Sequence, residues 1–353
     1  MTEVTAVPRR RHGKRARPSA AARLAAVAVL AVVGVGAYLL WPASAVSSST
    51  VCAYAGNTPA SLAAFSRQVG QQVSCAELFS YSNKNWAQWV SPWFTHPSPD
   101  GTDWSPWIKA DPSARRIVVT QQMIPADAPA DWRVLGAQGA YDGYARQFAD
   151  NLVAAGMGNA VIRLGHEMNG TTYPDSLGNN PSQYRDWADY WARVVRAMRS
   201  VPGAHFLFDW NVSAGYRNIP LNSYYPGNDA VDIIGIDIYD LGMPGDPKAP
   251  AARWASLAGE PGGLDQIVAF ARAHGKPLSF PEWGVISARG GGVGDDPAYT
   301  QGIVNEISRN RVVYQSYFDR TTGGVLPLKD APKSLIVWKH YFGAGGSLHG
   351  KPW

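Results

Sequence analysis

Residues 160–210 contain the pattern that decides the fold. They read AVIRL at residues 160–164, NPSQYRDWADYWARVVRAMRS at residues 180–200 and HFLFDW at residues 205–210. The first and last runs are short and apolar, which is typical of buried strands. In the middle run Asn180 and Pro181 form a helix start, and apolar side chains then recur on one face: Trp187, Tyr190, Trp191, Val194, Val195 and Met198. The stretch therefore predicts a strand–helix–strand unit of a parallel sheet.

Similar strand-like runs recur along the chain. They are RIVVT at 116–120, VDIIGIDI at 231–238, PLSFP at 277–281 and VVYQSY at 312–317, and residues 51–54 and 75–81 bring the total to eight. Eight alternations of strand and helix within about 300 residues match a (β/α)8 barrel. No glycine-rich nucleotide-binding motif follows any of these strands, which argues against a doubly wound sheet. The predicted fold class is α/β, a (β/α)8 TIM barrel preceded by a single N-terminal hydrophobic helix.

The N-terminal residues differ from the rest of the chain. Residues 1–23 carry seven Lys or Arg and one acid, a charge of +6 against +5 for all 353 residues. Because the net excess of positive charge lies in this tail, we expect the chain to have a membrane partner and not to bind nucleic acid. Residues 24–41 (LAAVAVLAVVGVGAYLLW) contain no charge and predict a transmembrane anchor with a cytoplasmic N-terminus. The alternative is a signal peptide cleaved after residues 43–45 (ASA).

Both alternatives place the barrel outside the cytoplasm, either held at the cell membrane or secreted after cleavage. An oxidising compartment would allow Cys52 and Cys75, the two cysteines of the chain, to form a disulfide. Such a bridge would join the first predicted strand to the second. The alternative is a pair of buried thiols.

Two glutamates directly follow strand-like runs. Glu167 lies in RLGHEMNG at residues 163–170, and Glu282 lies in SFPEWG at residues 279–284. Functional residues of parallel barrels sit at the carboxyl ends of strands, so carboxylates after the fourth and seventh strands are expected to face each other across the mouth. Glycosidic bond cleavage needs such a pair, one acid to protonate the departing oxygen and one carboxylate to attack or shield the anomeric carbon.

Three sequence blocks together resemble glycoside hydrolase family 26, a family of retaining (β/α)8 enzymes best known for endo-β-1,4-mannanases. The blocks are RLGHEMNG, YYPGNDAVDIIGIDIYD at residues 224–240 and PEWG at residues 281–284. The resemblance implies that Glu167 is the general acid/base and Glu282 the nucleophile. It further implies that Tyr239 hydrogen-bonds the nucleophile, that His166 precedes the acid/base and that Trp283 borders the sugar before the cleaved bond.

Further polar residues are predicted to bind substrate or to support the glutamates. Arg163 and Asn169 flank the acid/base, Asn211 is a candidate sugar-binding amide, and Asp240 is a candidate ligand contact, whereas Asp237 is expected to be structural. A zinc helix is excluded because Gly170 stands where the motif after His166-Glu167 needs a second histidine. We therefore expect neither a metal nor a cofactor.

The sequence thus predicts a glycosidase with five segments. These are a basic cytoplasmic tail (1–23), the anchor or signal segment (24–41), a linker (42–50), the catalytic barrel (51–343) and a C-terminal tail (344–353). The expected function is retaining hydrolysis of a β-linked polysaccharide outside the cytoplasm, with an endo-β-1,4-mannanase-like activity. The alternative is a catalytically silent carbohydrate-binding or exopolysaccharide-assembly protein on the same barrel.

Two features bear on the substrate. Residues 171–175 (TTYPD) replace the tryptophan-rich stretch that follows the acid/base in mannanases of the family, which keeps β-glucans and xylans among the candidates. Five tryptophans between the second and third strands could stack on sugar rings, or could simply pack the loops: Trp86, Trp89, Trp93, Trp104 and Trp107.

Overall fold

The computed structural model describes residues 49–80, 83–241 and 249–350. The predicted N-terminal helix and the tail before it lie outside these residues. Within the described part of the chain, no helix combines the length and apolarity that crossing a bilayer requires.

Eight parallel strands form a closed barrel. They are β1 (Ser49–Tyr54), β2 (Cys75–Ser80), β3 (Arg116–Gln121), β4 (Val161–Leu164), β5 (Leu207–Ser213), β6 (Ile233–Tyr239), β7 (Leu278–Gly284) and β8 (Val312–Phe318). Each strand pairs with the next, and β1 pairs with both β8 and β2, which closes the ring. The prediction of a TIM barrel is therefore confirmed, with all eight strands within a few residues of their expected bounds.

Helices follow the strands and cover the outside of the barrel. They are α1 (Pro59–Val69), α2 (Trp86–Trp89), α3 (Ser105–Ala110), α4 (Trp132–Ala137), α5 (Asp142–Ala154), α6 (Tyr184–Arg199), α7 (Pro250–Gly259), α8 (Leu264–Ala273), α9 (Pro297–Arg309) and α10 (Pro332–Phe342). The six apolar residues predicted on one face of α6 are all buried. Their burial against the sheet stabilises the helix, because an isolated amphipathic helix of this length is only marginally stable in water.

The barrel extends slightly beyond the predicted domain bounds. The first strand begins at Ser49, and a short strand β9 (His349–Gly350) pairs with its first two residues. Residues 349–350 of the predicted C-terminal tail therefore belong to the barrel sheet. Main-chain pairing, which no side-chain pattern announces, accounts for this difference.

The barrel interior is layered. Its floor is apolar and contains Cys52, Cys75, Val118, Val161, Ile233 and Tyr314. Cys52 and Cys75 are direct register partners on β1 and β2 and form the predicted disulfide. Two residues further along the strands, the inward positions are polar, among them Glu77, Thr120, Arg163 and Asp209. The interior thus changes from apolar to charged towards the carboxyl ends of the strands.

Candidate active site

Arg163 on β4 is the centre of a buried ionic network. Its side chain is 0% exposed, and its Nη1 lies 2.8 Å from Glu77 Oε1 and 2.6 Å from Glu282 Oε1. Its Nη2 forms an ion pair with Asp237. These partners lie on β2, β7 and β6, none of which neighbours β4, so the contacts cross the barrel interior. One cation is therefore shared by three carboxyl groups, of which only Glu282 is partly exposed, at 9% of its side chain.

Glu282 is held by both of its carboxylate oxygens. Arg163 contacts Oε1, and the hydroxyl of Tyr239 donates to Oε2 at 2.8 Å. The backbone N–H of Glu282 donates to Oδ1 of Asp237 at 3.1 Å. Only 7% of the residue is exposed. These contacts leave the carboxylate with one orientation, as a nucleophile requires.

A register shift in β7 turns Glu282 towards the interior. Ser279 points inwards, since its hydroxyl donates to Asp209 at 2.6 Å. Strict alternation would then place Pro281 inside and Glu282 outside. The pairing of β7 with β8 shifts between Phe280 and Trp283, and the extra residue reverses the alternation. The irregular strand thus aims the glutamate into the barrel.

Glu167 occupies a strained turn just beyond β4. Its φ of 50° is in the left-handed region, and among the described residues no other non-glycine side chain has a positive φ. Such backbone conformations are uncommon and concentrate at functional sites. The N–H of Glu167 donates to Oδ1 of Asn211 at 3.0 Å, which holds the turn against β5.

The environment of Glu167 favours its protonated form. Burial, followed by the nearby negative charge of Glu282, raises the pKa of Glu167 to about 7, although Arg163 acts in the opposite direction. A carboxyl group with this pKa can hold a proton near neutrality and release it to a leaving group.

A continuous hydrogen-bonded path joins the two glutamates. Asn211 accepts from the backbone of Glu167 and donates through Nδ2 to Asp237 Oδ1 at 2.9 Å. The same Asp237 oxygen accepts the backbone N–H of Glu282. The structure therefore brings Glu167 and Glu282 together in one site, and Asn211 and Asp237 set their relative position.

His166 lies beside Glu167 in an aromatic setting. Its ring is 4.1 Å from the ring of Tyr173 and 6.0 Å from that of Phe79, measured between centroids. Burial and the charge of Arg163 hold its pKa well below the usual value, so the imidazole is neutral. Neither ring nitrogen has a hydrogen-bond partner within the described part of the chain. Both nitrogen atoms are buried, so the structure does not place them at a surface that a sugar could contact.

An aromatic wall extends from His166 around the mouth. Tyr54 packs on Phe79 at 4.7 Å and on Phe318 at 4.9 Å, and Tyr239 lies 6.2 Å from Phe318. Sequence reasoning missed Tyr54, Phe79 and Phe318, and it missed Glu77 and Tyr173. The alternation of inward and outward side chains along a strand could have identified two of them. Phe79 and Phe318 stand two positions beyond the interior residues Glu77 and Ser316 and therefore point to the same side.

Several predicted substrate contacts are engaged within the protein instead. The amide of Asn169 exchanges two hydrogen bonds with the backbone of Ser213, at 2.8 and 2.9 Å. Arg163 and Asn211 are fully buried. Of the two roles predicted for Arg163, the structure favours support over sugar contact, and the prediction that Asn211 binds sugar is corrected to a supporting role. Both point inwards from mid-barrel positions, below the level of the cleft.

Trp283 and Asp240 also differ from prediction. Trp283 is fully buried, donates its indole N–H to Gln315 at 2.7 Å and packs against Tyr317, so it does not border a sugar. It follows an inward Glu282 and therefore points to the outer face of the sheet. Asp240 is buried in an ion pair with Arg253 of α7 at 2.8 Å, which removes it from the expected ligand contacts.

The tryptophan group between β2 and β3 is mainly structural. Trp89 and Trp104 are buried, and Trp86 stacks on Tyr144 of α5 at 4.5 Å. The indole of Trp93 donates to the carbonyl oxygen of Phe79 at 3.0 Å, which places it near the carboxyl end of β2. Packing thus explains most of the group.

Comparison with known proteins supports the resemblance stated above. Residues 143–256 match the family model described as glycosyl hydrolase family 26, a segment that contains Glu167 but not Glu282. No curated protein sequence matches the chain.

Solved structures with the same fold include several mannanases. A modular endo-β-1,4-mannanase from Cellulomonas fimi has a TM-score of 0.58 and 17% identity over 86% of this chain and 74% of that one. The Bacillus subtilis mannanase BCman has a TM-score of 0.54 and 15% identity over 82% of this chain and 86% of that one. A β-mannanase from Bacteroides ovatus has a TM-score of 0.57 and 13% identity over 83% of this chain and 88% of that one. At these identities the likeness shows the barrel fold alone.

Proposed function

We propose that this chain, which its match to glycosyl hydrolase family 26 identifies as a glycoside hydrolase, is a retaining enzyme with Glu167 as acid/base and Glu282 as nucleophile. The observation that carries the proposal is the hydrogen-bonded path from Glu167 through Asn211 and Asp237 to Glu282. A protein that only binds carbohydrate has no need to hold two glutamates in this relation.

The proposed reaction has two steps. In the first, a Glu282 oxygen attacks the anomeric carbon, the glycosidic C–O bond breaks, and the leaving oxygen keeps the bonding pair and takes the proton of Glu167. In the second, Glu167, now a carboxylate, removes a proton from water, and the hydroxide attacks the anomeric carbon and releases Glu282. The raised pKa of Glu167 supports the first role.

The proposed substrate is a β-linked polysaccharide cleaved at internal bonds. Mannan is the first candidate, because the matching structures named above are described as mannanases. Tyr173 supports keeping other β-glycans in view. It is the aromatic residue of the segment 171–175, and its ring lies against His166. A tyrosine at this place presents a smaller stacking surface than a tryptophan and adds a hydroxyl group.

We further propose that the enzyme acts outside the cytoplasm, held at the membrane or released by cleavage. The basic tail followed by an uncharged run of 18 residues supports this location. The disulfide between Cys52 and Cys75 is in keeping with an oxidising compartment. Digestion of intact cells with an added protease, followed by immunodetection of tags at the N-terminus and the C-terminus, would test this location. Protection of a C-terminal tag would contradict the proposal.

Activity is tested by reducing-end release from a panel of β-mannans, β-glucans and xylans. The wild type, Glu282→Ala and Glu167→Ala are compared with Glu306→Gln, which changes a glutamate on the outer helix α9. We expect release from at least one polymer by the wild type and the control, and none by Glu282→Ala. Absence of release from every polymer, with binding unaltered in Glu282→Ala, would support the silent carbohydrate-binding alternative.

The stereochemical course is tested on the same polymer. Proton NMR of the earliest product distinguishes the anomers before mutarotation. A β-anomer is expected for retention, and an α-anomer would contradict the nucleophilic role of Glu282.

A further inference from the structure

Glu77 and Glu282 are bound by one nitrogen atom. Arg163 Nη1 lies 2.8 Å from Glu77 Oε1 and 2.6 Å from Glu282 Oε1, whereas Nη2 is directed to Asn211 and Asp237. Nη1 carries two N–H groups, so it can donate to both glutamates at once, and the two carboxyl groups share the positive charge at this nitrogen. Any change in the charge of one must alter how strongly Arg163 holds the other.

The side chain of Glu77 is buried and makes polar contacts with Arg163 and Thr120. It is 1% exposed, and its side chain also accepts a hydrogen bond from Thr120 at 3.1 Å. It sits on β2 two positions before Phe79, in the layer directly below the aromatic wall. A buried carboxyl group carries a large desolvation cost unless a cation compensates it. Arg163 provides that compensation.

The proposed reaction changes the demand on Arg163. During the first step Glu282 becomes an uncharged ester, and the guanidinium loses the negative charge at 2.6 Å. Asp237 beside Nη2 and Glu77 beside Nη1 would then remain next to the cation, and of these two only Glu77 can compensate Nη1. Glu77 is already in place to do so without moving.

We propose that Glu77 is a positioning residue for the nucleophile: it shares Arg163 Nη1 with Glu282 in the resting enzyme and becomes the counter-ion of that nitrogen when Glu282 is esterified. The inference rests on the proposed two-step reaction for its catalytic meaning, but the charge coupling itself can be measured without substrate.

The protonation of Glu77 supports this role. Burial raises its pKa to about 7, Arg163 lowers it, and the charge of Glu282 raises it again. The charge of Glu282 thus disfavours the ionised form of Glu77, and that form becomes more favourable when the charge disappears. The charged or titratable groups that face it from the other strands are Tyr54 of β1, Arg163 of β4, Asp237 of β6, Glu282 of β7 and Tyr314 of β8.

Carbon-13 NMR tests the coupling directly. The full-length chain contains six glutamates, so labelling at the glutamate carboxyl carbon gives few signals, and Glu77→Gln assigns one of them. The titration midpoint of Glu77 is compared in the wild type and in Glu282→Gln, which mimics the uncharged ester. We expect the midpoint to fall by about one pH unit or more in Glu282→Gln. An unchanged midpoint would overturn the proposal.

Thr120→Val is the matched control. It removes a hydroxyl group that donates to the same Glu77 oxygen at 3.1 Å and accepts from Arg163 Nη1 at 3.2 Å, and it leaves every charge in place. Because the hydrogen bond to Glu77 lowers the pKa of Glu77, the midpoint should rise in this variant, in the direction opposite to Glu282→Gln. A fall of equal size in both variants would show a general loosening of the barrel and would also refute the inference.

Kinetics test the catalytic part. With 2,4-dinitrophenyl β-mannobioside or β-cellobioside, the first step is followed by the burst of dinitrophenolate and the second by the steady state. In Glu77→Gln we expect the burst rate to fall about tenfold, the size of effect of one charge-assisted hydrogen bond, with the second step slowed less. Equal slowing of both steps would indicate a merely structural residue. If the wild type hydrolyses neither compound, the proposed function fails for these sugars while the NMR result still decides the coupling.

Discussion

Replacement of Arg163 by methionine should destabilise the protein by about 3–5 kcal/mol, because it removes one partner from a buried ion-pair network. Methionine has a similar length and volume but no charge. The arginine is 0% exposed and contacts Glu77, Glu282 and Asp237. Its loss would leave these carboxylates without the cation that offsets their desolvation, and burial would then favour their protonated forms.

The loss should depend on pH. Arg163 lowers the pKa of Glu77, whose folded value of about 7 already exceeds the unfolded value of about 4.3. Without the arginine the folded pKa rises further. A carboxyl group whose pKa is higher in the folded than in the unfolded state lowers the free energy of unfolding of the protein as the pH rises from the unfolded pKa to the folded pKa. At pH 5.5 Glu77 is protonated with or without Arg163. The additional loss of stability that Glu77 causes in Arg163→Met therefore appears only above about pH 7.

Denaturant unfolding at pH 5.5 and pH 8.5 measures both effects. We expect the difference in free energy of unfolding between wild type and Arg163→Met to be larger at pH 8.5. The control is Arg185→Met, which breaks an ion pair with Asp189 whose side chains are 60% and 45% exposed, and it should change stability by less than about 0.5 kcal/mol. A loss below about 1 kcal/mol for Arg163→Met, or an equal loss at both pH values, would refute the reasoning.

Three further predictions concern single features of the fold and site. The value of kcat/KM should decline above about pH 7 as Glu167 loses its proton, and a profile that is flat to pH 9 would contradict this role. Glu167→Ala should keep most of the burst rate only with dinitrophenyl leaving groups, because these need no proton. Replacing Cys52 and Cys75 together by serine opens a bridge between positions 23 apart and should cost about 3 kcal/mol, measured by thermal unfolding with and without reductant; a wild type that is equally stable in reductant would argue against it. Gly235→Ala places a Cβ 2.3 Å from Oδ1 of Asp209 and should cost about 2 kcal/mol or more, measured by denaturant unfolding; an unchanged midpoint would show that the polar layer can rearrange.

The alternation of strands and helices could be read from the sequence because it is local. The run around β4 and the helix α6 satisfy their hydrophobic periods without reference to the rest of the chain. The placement of Glu167 and Glu282 just beyond the core of apolar strands follows from the same local pattern, since parallel barrels collect such residues at one end. For this reason the predicted pair meets in one site.

Side-chain direction in β7 could not be read in the same way. Glu282 points inwards and Trp283 outwards only because the pairing of β7 with β8 shifts by one residue. Such a bulge depends on two strands together, and a one-residue change reverses every assignment that follows it. The expected sugar contact of Trp283 failed for this reason.

Partners in the interior were likewise beyond a local pattern. Glu77 and Arg163 are 86 positions apart in sequence, and Asp240 meets Arg253 only through the fold of α7 onto the barrel. Buried charges must find partners wherever the closed sheet brings them, and desolvation makes those pairings obligatory.

The sequence by itself therefore determined the barrel, and it singled out the two glutamates and the disulfide as predictions, because these rest on residue types, strand ends and the expected compartment. The tertiary structure alone decided which of the neighbouring polar and aromatic residues face the cleft and which support it. The physical reason is that closure of the barrel fixes register, burial and ion pairing between strands that are distant in the chain, and these set the orientation and protonation of the residues around Glu167 and Glu282.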